Sequence, residues 1–333
     1  MELPPALRAG VDALLDGVPL AALADAAATL SRRYRAEIRD GRLHLADDLA
    51  ARAYLATRLP ATYAALHASL DAVAAARPDF APRSLLDVGA GPGSALWAAR
   101  AVWPRMDDAL LVEASGSIRA AGERLSADLP GVTSNVTWRA GDIAAGLPDC
   151  GPPRDLVTLG YVLDELAPEV RDRLIVRLWD LTAGLLVIVE PGTPAGWRRI
   201  LAARDILIAA GGHVVAPCPH QVPCPVAPPD WCHFSRRVAR SRLHRQAKGG
   251  EVPWEDEKFS YLAVARESAA RRPGAATSPA ARVLAPPRAG SGRVMLKLCR
   301  PDGTLTEMLF TRRDGAAFKL ARRADWGDAV PEG

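Results

Sequence analysis

Four of the five cysteines in this chain form a spaced set. Cys218, Cys224 and Cys232 fall within 15 residues, and Cys299 follows 67 residues later. The chain opens Met1-Glu2 with no basic leader, so a reducing compartment is expected and disulfides are not. Thiolates are soft ligands for zinc or for iron–sulfur clusters. Structural zinc sites usually carry close C-x2-C pairs, and this set has none. The wide spacing, with Pro219 and Pro225 directly after two of the cysteines, favours a bulkier iron–sulfur cluster; zinc and a metal-free loop stay open as alternatives. Cys150 lies apart in a Pro/Gly loop and reads as a spare thiol.

The second chemical signal is Leu85-Leu86-Asp87-Val88-Gly89-Ala90-Gly91-Pro92-Gly93, an apolar run entering a glycine turn. Such a turn lets backbone approach a ligand, and the helix start after it favours negative charge. The dinucleotide fingerprint G-x-G-x-x-G is not met, because Ser94 holds its last position. A plain strand–turn–helix with three glycines is the bland alternative. The spacing, with Asp87 two residues before Gly89, resembles motif I of the S-adenosylmethionine-dependent methyltransferases. That resemblance implies that Gly89, Gly91, Gly93 and Asp87 face the methionine end of the cofactor. It also implies that Glu113, ending the second strand, accepts the ribose hydroxyls, and that Asp142, ending the third, takes the adenine amino group.

No catalytic residue follows from the sequence. Amino-methylating enzymes of this kind often carry Asn/Asp-Pro-Pro-aromatic after the fourth strand; here Gly160-Tyr161-Val162-Leu163-Asp164-Glu165 stands instead. No cysteine nucleophile lies there either. Asp164 and Glu165 fit a base, a pocket lining or surface charge equally well.

Arg236 to Lys248 contains Arg236, Arg237, Arg240, Arg242 and Arg245, with His244 and no acid, and Gly249-Gly250 follows as a stop signal. This predicts a basic helix whose Arg236, Arg237, Arg240 and Arg245 meet RNA phosphate, since a solvated helix normally interleaves acids; a simple solvated face is the alternative. Charge is uneven along the chain as well. Residues 1–235 carry 22 basic against 27 acidic residues, a net of −5, and residues 236–333 carry 20 against 11, a net of +9, giving the overall +4.

These groups need elements to hold them. The 333 residues are 49% hydrophobic and 24% charged, a globular composition that excludes a disordered or fibrous chain. No apolar run reaches the ~18 residues of a membrane-spanning helix. Residues 1–78 read as helical, with two helices between Ala46 and Ala76 broken near Pro60. From Ser84, strands alternate with amphipathic helices: Ser84–Val88, Ala109–Glu113, Val136–Ala140, Leu156–Gly160 and Leu185–Val189, then His213–Ala216 and Phe259–Ala265. That predicts an α/β class I methyltransferase fold, Rossmann-like with a seven-stranded sheet, over residues 79–266. Residues 217–258 are an insertion carrying the cysteines and the basic segment. Residues 267–281 read as a linker and 282–333 as a β extension, with a hairpin around Pro301-Asp302-Gly303 and a third strand at Ala316–Ala321.

Several segments together resemble one family: Ala216-Pro-Cys-Pro-His220, Trp231-Cys-His-Phe-Ser235, Ser241-Arg-Leu-His-Arg245, Glu255-Asp-Glu-Lys-Phe-Ser-Tyr-Leu262 and Leu298-Cys-Arg-Pro-Asp-Gly303. It is the methyltransferase-like family of mitochondrial small-ribosomal-subunit proteins and assembly factors, with its bacterial relatives. The likeness runs from about Ala53 to Trp326. It implies a [4Fe-4S] cluster on Cys218, Cys224, Cys232 and Cys299, S-adenosylmethionine binding, and action on the small ribosomal subunit and its RNA in assembly or translation. RNA methylation, a non-catalytic assembly role, and a zinc-containing methyltransferase with another substrate are the readings it leaves. The expected location is the bacterial cytoplasm.

Overall fold

The structure is a computed structural model and describes residues 1–37, 44–127, 129, 135–266 and 280–331. Four helices come first: α1 (Pro5–Leu15), α2 (Leu20–Arg35), α3 (Asp48–Thr57) and α4 (Leu59–Ala76). Asp47 caps α3 by accepting from the Ala50 N–H at 2.8 Å, and Pro60 sits in the first turn of α4, where its missing N–H costs nothing.

The sheet region then runs β1 (Ser84–Val88), α5 (Ser94–Val102), β2 (Asp108–Glu113), α6 (Gly116–Ala127), β3 (Asn135–Ala140), β4 (Arg154–Gly160), α7 (Pro168–Asp180), β5 (Thr182–Pro191), α8 (Pro194–Ala209), β6 (His213–Ala216), β7 (Phe234–Ala239), α9 (Arg242–Lys248) and β8 (Trp254–Ala265). Strand order is β3-β2-β1-β4-β5-β8-β6, with β8 antiparallel to both neighbours and β1 to β5 parallel. Alternate strand residues serve two faces. Leu85, Leu111, Leu156 and Val187 pack under the N-terminal helices with α5 and α6, whereas Leu86, Leu110, Val157 and Ile188 pack under α7 and α8.

The expected seven strands are present, and an eighth joins them. β8 is twelve residues long. Its C-terminal half pairs with β5 and β6, and its N-terminal half pairs with β7, Phe234 opposite Phe259 and Ala239 opposite Trp254. Residues 217–233 therefore leave the sheet edge after β6 and return to that edge as β7. The first four residues of the expected basic helix, 236–239, are thus strand, because their backbone pairs with Trp254 to Glu257 of β8. Only the second half is helical, starting where the Ser241 hydroxyl accepts from the His244 N–H.

A second, antiparallel sheet holds β9 (Ala280–Val283), β10 (Arg288–Gly290), β11 (Arg293–Cys299), β12 (Leu305–Thr311) and β13 (Ala329–Pro331). The predicted strand at Ala316–Ala321 is instead helix α10 (Gly315–Ala321). Its Phe318 and Ala321, one turn apart, fill a small core with Val294 and Leu296. Of the expected linker, residues 267–279 lie outside the described residues, and Ala280 and Ala281 already belong to β9.

Candidate cofactor and cluster sites

β1 delivers Asp87 and the glycine turn to the C-terminal edge of the parallel sheet, the place where open α/β sheets bind ligands. Gly89, Gly91 and Gly93 have φ of 67°, 54° and 85°, the left-handed region that a side chain resists. The N–H groups of Gly89 and Ala90 both donate to the Val112 carbonyl, which fixes the turn against β2. A Cβ on Gly89 would collide with Val162, but one on Gly91 would meet nothing within 4 Å. The turn thus has an open side at Gly91, where a ligand can approach the backbone.

Glu113 is tied into this turn. Its carboxylate accepts from the Gly91 N–H and from the Ser115 N–H, both at 2.8 Å. Burial raises its pKa, and those backbone donors pull against the rise. Asp87 is 2% exposed. Its Oδ1 accepts from the Thr158 hydroxyl at 2.7 Å, and its Oδ2 is buried with no partner. Burial pushes the Asp87 carboxyl up to about 7. An orphaned buried carboxylate oxygen beside an open glycine turn fits a ligand with a cationic end. Asp142 is exposed, and its Oδ1 accepts from the Ala144 N–H at 2.9 Å.

The segment after β4 turns inward. Tyr161 has φ of 60°, strained for a side-chain-bearing residue, and its hydroxyl donates to Glu257 of β8 at 2.8 Å. Asp164 is buried, so surface charge is excluded for it. Glu165 keeps 35% of its side-chain surface, and partial burial with Asp164 beside it raises its pKa, moderated by that solvent. Glu190, fully buried at the end of β5, accepts from the Leu163 N–H at 3.1 Å and from Arg199 at 2.6 Å. Thr158, Tyr161 and Glu190 carry no sequence motif, and only their place at the strand ends reveals them.

The four cysteines converge. Cys218, Cys224, Cys232 and Cys299 all line one cavity with about 530 Å³ of space unfilled by protein, part of it open to solvent. Three arrive on the loop between β6 and β7, and the fourth ends β11. Cys150 does not line it; its thiol donates to the Pro148 carbonyl at 3.2 Å. Burial and the neighbouring sulfurs raise the thiols, Cys232 well above its ordinary value and Cys299 to about 12. Four reduced sulfurs thus share one partly desolvated space. Among the described residues, no three His, Cys, Asp or Glu are grouped to hold a single metal ion.

Two arginines that the sequence did not single out complete the cavity. Arg204 of α8 is 2% exposed and donates to the His220 and Val222 carbonyls at 3.1 and 2.8 Å, which fixes the loop between Cys218 and Cys224. Its nearest carboxylate, Asp205 at 3.7 Å, is 78% exposed and offsets little of its charge. Arg282 of β9 donates to the Pro217 and Gly327 carbonyls at 2.9 and 2.8 Å. His220 Nε2 lies 3.3 Å from the Cys299 sulfur. A buried guanidinium without a buried carboxylate favours an anion nearby. Four thiolates around a multinuclear iron cluster carry net negative charge, so the donor set and its counter-charges fit that group.

The basic segment is the clear departure from expectation. Arg237 pairs with Asp256 at 2.8 Å, Arg240 with Glu255 at 2.9 Å, and Lys248 with Glu255 at 3.0 Å. His244 is wholly buried. The acids that the sequence lacks within 236–248 come across the ladder from β8. Arg236 is exposed and Arg245 half-buried, and neither has an acid partner among the described residues.

The strand order, the glycine turn at the end of β1 and the carboxylate at the end of β2 define a methyltransferase fold of class I, extended by a thiol-lined cavity. The chain belongs to the family described as mitochondrial small ribosomal subunit Rsm22, whose model matches residues 48–331. It is 32% identical over 295 residues to the human ribosome assembly protein METTL17, mitochondrial, covering 84% of this chain and 62% of that protein. It is 26% identical over 326 residues to the Rsm22-cox11 tandem protein 2, mitochondrial, of Schizosaccharomyces pombe, covering 84% of this chain and 43% of that protein. The chain therefore spans less than two thirds of either relative. Among solved structures, magnesium protoporphyrin IX methyltransferase from Synechocystis overlaps 71% of this chain and 91% of its own, at 14% identity and a TM-score of 0.41, a likeness of outline only. These curated relatives are mitochondrial proteins, which overturns the bacterial cytoplasmic location expected from the N-terminus.

Proposed function

We propose that this chain is an assembly protein of the small ribosomal subunit that binds S-adenosylmethionine on the turn Gly89–Gly93 and holds a [4Fe-4S] cluster on Cys218, Cys224, Cys232 and Cys299. The observation that carries the reading is the convergence of Cys299 of β11 with the three cysteines of the β6–β7 loop on one cavity flanked by Arg204 and Arg282. The cluster, when bound, supplies a covalent tie between the β6–β7 loop and β11. Arg204 and Arg282 hold the surrounding carbonyls in place and offset the thiolate charge. At the other site, Glu113 orients the glycine turn and presents its remaining lone pairs to the ribose hydroxyls, Asp142 faces the adenine amino group, and Asp87 offers its unpartnered oxygen to the cationic methionine end.

Anaerobic purification with metal and sulfide analysis tests the cluster: iron and sulfide in equal amounts, about four of each per chain, is expected. Stoichiometric zinc without iron refutes it. Co-sedimentation with immature small subunits tests the partner, and transfer of a labelled methyl group onto those subunits separates an RNA methyltransferase from a non-catalytic assembly factor.

A further inference from the structure

The cations around β7 are largely matched by acids, but a second group is not. Arg293 opens β11 opposite Thr311, the last residue of β12. The Arg312 N–H donates to the Gly292 carbonyl, and the Arg312 side chain lies over that glycine, where an added Cβ would come within 3.0 Å of Nε. Arg312 and Arg313 form a short turn that leads directly into α10. This helix buries Phe318 and Ala321 and leaves Lys319 exposed; Arg322, which caps its C-terminus with its guanidinium over the Phe318 ring at 5.8 Å, and Arg323 in the turn that follows are exposed as well. All six cations are exposed, and none has a carboxylate partner among the described residues. The one acid between residues 308 and 324, Asp314, is turned onto the Thr311 N–H and hydroxyl at 2.6 and 3.0 Å.

The geometry points to the face built from Arg293, Arg312, Arg313, Lys319, Arg322 and Arg323 as a docking surface for the phosphate backbone of RNA. This rests on the small-subunit reading for the source of the RNA. Six exposed cations without a carboxylate partner, at the start of β11, in the turn after β12 and in or just after α10, concentrate positive potential that intrachain acids elsewhere cancel. A helix lying on a lipid surface would turn its apolar side outward, whereas α10 turns Phe318 and Ala321 into the core and leaves Lys319 exposed, with Leu320 as its one exposed large apolar side chain.

The test compares the full chain with a variant carrying Arg312→Gln, Arg313→Gln, Lys319→Gln, Arg322→Gln and Arg323→Gln, all at exposed positions, with thermal stability measured to show an intact fold. A second variant, Arg237→Gln with Arg240→Gln, removes cations that already have partners. Probes are a single-stranded RNA, purified small subunits and phosphatidylglycerol vesicles. The expected result is that the five-site variant binds RNA at least about tenfold more weakly at physiological salt, with its salt slope reduced by about three to five. The second variant should lose stability and keep the slope. An unchanged salt slope in the five-site variant overturns the surface and leaves the small-subunit reading standing. Wild-type protein that binds RNA but never sediments with subunits, while the variant loses RNA, keeps the surface and removes the ribosomal source. Binding to vesicles and not to RNA, or to neither, overturns the proposal.

Discussion

Replacing Arg204 by methionine keeps the aliphatic stem and removes the guanidinium. Two charge-assisted bonds to the His220 and Val222 carbonyls are lost, worth about 1.5–3 kcal/mol each. Against that stands relief from burying a cation at 2% exposure, which is worth several kcal/mol. In metal-free protein the two nearly cancel, since the surrounding thiols are held protonated by burial and by one another. With an anionic group on the four sulfurs the balance changes. One unit charge about 5 Å from the guanidinium, at an effective dielectric of about 20, contributes about 3 kcal/mol that methionine cannot supply. Arg204→Met is therefore expected to leave the metal-free protein within about 1–2 kcal/mol of wild type and to destabilise the metal-loaded protein by about 3 kcal/mol more. Chemical unfolding of both forms under anaerobic conditions, with iron content measured alongside, reads the difference. Equal destabilisation with and without metal would refute the counter-charge role and leave Arg204 as a loop clamp only.

Gly91→Arg should abolish S-adenosylmethionine binding by filling the open side of a turn at φ 54°, and calorimetry reads it. Glu113→Ala should weaken binding by about 1–3 kcal/mol and lower the melting temperature, because the Gly91 and Ser115 N–H groups lose their acceptor. Serine at Cys218, Cys224, Cys232 or Cys299 should remove iron, while Cys150→Ser should not, since Cys150 lies outside the cavity; iron analysis decides. Asp87, raised to about 7 in the folded protein from about 3.9 unfolded, binds its proton more tightly when folded. Its stabilising effect is complete below about pH 4 and is lost as pH rises to about 7. Urea unfolding across that range should show the decline, and Asp87→Asn should flatten it. Affinity for the cationic cofactor should rise over the same range in wild type only.

Much of this protein was legible in local pattern. The strands from Ser84 to Val189 announce themselves as short apolar runs, and glycines at 89, 91 and 93 mark a turn only they adopt cheaply. The break at Pro60 and the stop at Gly249 follow from backbone chemistry in the same way. That Glu113 ends the second strand was readable from sequence position; that its carboxylate holds the Gly91 and Ser115 N–H groups was not. The resemblance of the cysteine segments marked Cys218, Cys224, Cys232 and Cys299 as a set.

What tertiary structure decided is who stands across from whom. Arg237 and Asp256 lie 19 residues apart and meet only through the β7–β8 register, so a segment that reads as a basic helix becomes half strand, with its charges matched. Arg204 and Arg282 show no motif, and they reach the thiols because α8 packs on β8 while β9 pairs with β11 at Cys299. Helix α10 replaced an expected strand because Phe318 and Ala321 fill one small core a turn apart. Local sequence sets backbone preference and residue chemistry; burial and the partners that oppose each charge are set by pairings between distant segments.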